Sequence, residues 1–69
     1  MKNTSENIMD LVGIYMSNTE EMTDFKYGLK LGGLMNLRMF CETVNDYDAV
    51  AKAIKELGQI FKKYKNLKK

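Results

Sequence analysis

Proline, histidine and tryptophan are absent from this 69-residue chain, and cysteine occurs once. Each absence excludes something. Without histidine, and with Cys41 alone, no zinc site of the structural kind can be assembled. A single cysteine closes no internal disulfide. Small chains bury a marginal core, so regular helix packing or a second subunit is left to stabilise the fold. One cysteine and no signal-like start fit a reducing cytoplasm. No apolar run approaches the roughly 20 residues that span a bilayer, because Lys26, Lys30 and Arg38 interrupt the greasiest stretch. The lack of proline, together with abundant Lys, Leu, Met, Glu and Ala and no cluster of β-branched residues, favours helix throughout.

Catalytic equipment is missing too. Cys41 has no histidine to activate it and lies in an apolar setting, which makes it an inert thiol. The chain contains no phosphate-cradling glycine loop, and no cofactor is expected. Asp46 and Asp48 start like a calcium loop, but the required glycine and the glutamate at the twelfth position are absent. Capping of helix starts accounts better for Glu20, Glu21 and Asp24, and for Glu42, Asp46 and Asp48. The expectation is a protein that is not an enzyme.

What is present reads as one all-α domain over residues 1–69. The spacing predicts three helices, at about 5–16, 19–44 and 46–67. Asn3 or Ser5 can cap the first, Asn18 with Glu21 the second, and Asn45 with Asp46 the third. In the first helix Ile8, Leu11, Val12 and Tyr15 make one apolar face. The second carries two apolar stripes separated by Lys26, Lys30 and Arg38. Met22, Phe25, Leu29, Gly33, Leu37, Phe40 and Val44 form one stripe; Tyr27, Leu31, Leu34, Met35 and Cys41 form the other. In the third helix Tyr47, Val50, Ile54, Leu57, Phe61 and Tyr64 follow a three-four seam. Short connections make neighbouring helices antiparallel, so helices two and three form a long hairpin.

The first helix spans only about 18 Å. Folded back through a short turn, it covers the first half of helix two and leaves the second half without cover on one side. Leu34, Met35, Leu37, Met39 and Phe40 are therefore the expected self-association residues, in a two-fold dimer whose hairpins form a helical bundle. A break of helix two at Gly32 and Gly33 is the structural alternative. Gly28, Gly32 and Gly33 have the spacing that admits a close helix, either from a partner or from within the chain.

Charge is unevenly spread. Residues 1–49 carry four basic against eight acidic side chains, net −4, and residues 50–69 carry seven against one, net +6, for the overall +2. The basic end, 62–69, contains Lys62, Lys63, Lys65, Lys68 and Lys69. It reads either as a solvated tail that suits the helix C-terminal dipole or as a contact for nucleic acid or another anionic partner.

The stretch from Asp24 to Phe40 has an aromatic residue, a glycine, a basic residue, Leu-Gly and a long apolar continuation. It resembles a segment of small uncharacterised helical proteins from Gram-positive bacteria and their phages. The resemblance covers about a quarter of the chain and implies no activity and no catalytic residue. It points towards an accessory protein of a phage or mobile element. The functional expectation is a modulator that occupies another protein stoichiometrically, such as an inhibitor of a host or defence factor. The alternative is a nucleic-acid-associated regulator that uses the lysine-rich end.

Overall fold

The computed structural model of the chain describes residues 4–67. Among these residues the secondary structure is three helices and no strand: α1 Thr4–Tyr15, α2 Asp24–Met39 and α3 Val44–Leu67. The cap expected at Asn3 lies outside the described residues, as do Lys68 and Lys69. No described helix is long and apolar enough to cross a membrane.

Helix α2 is shorter than the 19–44 predicted by its apolar spacing, and both limits have local causes. At the start, Thr23 is extended (φ −69°, ψ 163°) and its side-chain oxygen accepts a hydrogen bond from the Lys26 backbone N–H at 3.2 Å. That is the geometry of an N-cap. Asn18, the expected cap, instead takes a left-handed backbone (φ 53°) inside the connection, a conformation asparagine tolerates better than most residues. At the other end the Phe40 N–H bonds to the Leu37 carbonyl at 3.0 Å and closes the last turn. Thr43 then caps α3, which begins two residues before the predicted start, by accepting from the Asp46 N–H at 3.1 Å. The helix runs unbroken through Gly32 and Gly33.

The path of α1 corrects a second expectation. The connection to α2 is not a tight turn but residues 16–23, anchored by the fully buried Met22. That length lets the chain run back along α2 before α2 begins. As a result α1 packs beside the second half of α2, not the first. Its start is held to the start of α3 by the Ser5 hydroxyl, which donates to Asp46 Oδ2 at 2.6 Å. Its end is fixed where the Tyr15 ring lies against Gly33, so closely that a β-carbon on Gly33 would overlap the ring. The last turn of α1 contains no basic residue. Lys30 of α2 supplies the cation there, donating to the Tyr15 and Ser17 carbonyls at 3.2 and 2.9 Å. This satisfies carbonyls that a helix end leaves open.

Ile8, Met22, Leu34, Leu37, Val50, Ala53 and Leu57 form the core. The α3 seam faces inward as its spacing predicts from Val50 to Tyr64, and only Tyr47 at its start stays exposed. Tyr27 stacks on Phe61 with ring centroids 4.1 Å apart and planes within 9°, which joins the first half of α2 to the second half of α3.

Candidate protein-contact surface

Leu34 and Leu37, two of the five expected self-association residues, are 0 and 7% exposed. They belong to the subunit's own core, because α1 and α3 together enclose that side of α2. Met35, Met39 and Phe40 do reach solvent. They are joined there by Phe25 and Leu29, which lie in the half of helix two that the first helix was expected to cover.

The seven positions 25, 28, 29, 32, 35, 36 and 39 follow helical spacing along one side of α2. All of them are exposed: Phe25, Gly28, Leu29, Gly32, Met35, Asn36 and Met39. None is charged. The charged residues of α2 lie on its flanks instead. Lys30 is tied to the end of α1. Arg38 lies 5.8 Å from the centre of the Tyr47 ring. Lys26 pairs with Glu21 at 3.8 Å, and Asp24 with Lys65 at 3.6 Å. The inner side of α2 is apolar as in an amphipathic helix, but the charged outer side such a helix usually has is replaced on this face by uncharged, largely apolar residues. Surfaces of this kind mark contact sites.

The three glycines divide between two roles. Gly33 faces inward and makes room for Tyr15, so packing within the chain explains it. Gly28 and Gly32 face outward, with nothing within 4 Å of where their β-carbons would stand. Nothing inside the subunit requires a small residue at either position. A shallow cleft of about 280 Å³ adjoins the face, lined by Tyr15, Asn18, Lys26, Leu29 and Lys30.

Lys62, Lys63 and Lys65 are exposed near the end of α3. The fold sets this end against the acidic start of α2. Lys65 reaches Asp24, its ammonium also lies 5.1 Å from the Phe61 ring centre, and Lys63 and Glu20 line one groove. Part of the basic charge therefore meets acidic charge of the same chain.

Cys41 is half-buried, and its thiol lies 3.3 Å from the Leu37 carbonyl. Burial, and then the Asp46 carboxylate, push its pKa above the ordinary thiol value. Neither influence activates it as a nucleophile. Among the described residues no three His, Cys, Asp or Glu side chains are grouped to hold a metal ion. The chain matches no protein-family model, no curated protein and no solved structure.

Proposed function

We propose that this chain is a protein-binding module, not an enzyme, and that its contact surface is the outer face of α2. The single observation behind the reading is that outer face: seven exposed positions on one side of a helix, four of them large and apolar, none charged. Such a face gains contact energy by leaving water, and it is set on a helix whose inner side is locked into the core. Its partners are a second copy of the chain and, in exchange for that copy on the same face, another protein, which it modulates by occupancy. An inhibitor of a host or defence factor, encoded by a phage or mobile element, is the role that fits a short cytoplasmic chain acting in this way.

Light scattering tests the self-association directly. The expected mass is twice the 8.0 kDa of the chain at micromolar concentration, and a monomer throughout rejects the dimer. Met39→Asp and Leu29→Asp place charge on the face without touching the core. Both are expected to return the protein to monomer with unchanged helicity, and unaltered assembly in both moves the contact surface elsewhere. For the foreign partner, capture from the native host with wild-type and Leu29→Asp baits identifies it as the species lost with the variant.

A further inference from the structure

The large apolar residues of the α2 face stand at equal distances on either side of a glycine, although Gly28 and Asn36 between them differ in size and polarity. Position 32 is its centre. Seven residues to either side lie Phe25 and Met39, three to either side Leu29 and Met35, and four to either side Gly28 and Asn36. Pairing about a two-fold axis requires a face complementary to its own reversed copy, and balance about one centre brings the large apolar residues of two antiparallel copies to the same levels. We propose that the occupant of this face is α2 of a second copy, antiparallel, with Gly32 meeting Gly32 of the other chain at the axis. This proposal rests on the reading of the α2 face as the contact surface and adds the partner, the direction and the register.

The chemistry at each level agrees. At the centre, two glycines without β-carbons let the helix axes approach closely. Seven residues out from the axis Phe25 meets Met39 of the other copy, a thioether against an aromatic ring, while Leu29 and Met35, about 120° apart around α2, line the two opposite edges of the contact. The helix dipoles oppose, which favours the antiparallel sense. Charge is complementary at the rim. A two-fold perpendicular to the helices keeps like flanks together, and Asp24 and Arg38 share one flank of α2. In this register Asp24 lies within about 3 Å, measured along the axis, of the level of Arg38 of the other copy. The area is sufficient, though not large. Phe25, Leu29, Met35 and Met39 are 76, 61, 45 and 82% exposed. At ~180 Å² for a whole side chain they present roughly 500 Å² per copy. Two such faces cover about 1,000 Å², the lower bound for specific association.

Cross-linking reads the register. On a Cys41→Ser background, Phe25→Cys and Met39→Cys chains are mixed and oxidised. The expected product is the mixed Phe25→Cys/Met39→Cys disulfide. Phe25→Cys alone should give little, since its two copies lie about 21 Å apart along the axis. Efficient Phe25→Cys self-cross-linking instead establishes a parallel pair and overturns the register while the contact face stands. A dimer that is lost in Leu29→Asp yet gives neither product overturns it as well. A dimer indifferent to Leu29→Asp, Met39→Asp and all cysteine pairs removes the contact face itself. Gly32→Leu supplies the second measurement. The monomer has open space at that position and leucine favours helix over glycine, so helicity and melting are expected to hold or rise while the dissociation constant rises at least tenfold. Undiminished dimerisation of Gly32→Leu overturns the glycine-centred contact.

Discussion

Replacing each of the three α2 glycines by alanine separates open space from close packing within one turn of helix. In a helix interior alanine is favoured over glycine by about 1 kcal/mol. At Gly28 and Gly32 the added methyl meets nothing within 4 Å. Gly28→Ala and Gly32→Ala are therefore expected to stabilise the monomer by ~1 kcal/mol each, or about 4–8 °C in Tm for a domain of this size. At Gly33 the same propensity gain applies, but the methyl meets the Cε1, Cζ and Oη atoms of Tyr15. The ring is partly buried against the core, and over-packing costs ~1–3 kcal/mol. Gly33→Ala is thus expected to fall between neutral and about 2 kcal/mol less stable, about 1–3 kcal/mol below its neighbour Gly32→Ala. Urea unfolding followed by far-UV circular dichroism, at protein concentrations below self-association, measures all three midpoints at a common slope. Equal midpoints for Gly32→Ala and Gly33→Ala would refute the reasoning, because Tyr15 would then not hold α1 against α2.

Two further outcomes follow from named contacts. Leu34→Ala is expected to cost 2–5 kcal/mol in the same urea assay, as for a fully buried leucine, and Leu34→Asp to unfold the chain; a folded, merely monomeric Leu34→Asp protein would put Leu34 at the surface after all. The raised pKa of Cys41 means that the folded chain holds the thiol proton to higher pH than the unfolded chain does. Stability from this source is complete below the unfolded thiol pKa and is lost as pH rises through the folded one, so iodoacetamide alkylation of native protein should show a higher midpoint than alkylation in urea. Coincident midpoints would contradict the burial argument.

The helical class, the three segments and the α3 seam were legible in the sequence because they depend on composition and on spacing along one helix. The path of the first connection was not. Asn18 and Glu21 offer as good a local cap as Thr23, and the choice falls to Thr23 because Met22 is drawn into the core. The placement of α1 against the second half of α2 follows from that one burial. The candidate surface was half legible. Of the expected self-association residues Met35, Met39 and Phe40 are exposed while Leu34 and Leu37 are core, and Phe25 and Leu29, also exposed, lie in the half of helix two that helix one was expected to cover. A stripe read in steps of four turns by about 40° per step around an α-helix. From Phe25 through Leu29 and Gly33 to Leu37 it therefore passes from solvent into the core.

By itself, then, the sequence determined that the chain is helical and that α2 is too apolar to stand alone. Helical periodicity and residue chemistry are local properties and survive without coordinates. Which side of α2 faces outward was decided only by tertiary packing. Apolar residues surround most of that helix, so its own pattern names no preferred face. Tyr15 fitting onto Gly33, Lys30 closing the end of α1 and Met22 filling the core choose one, and that choice leaves the uncharged side in water.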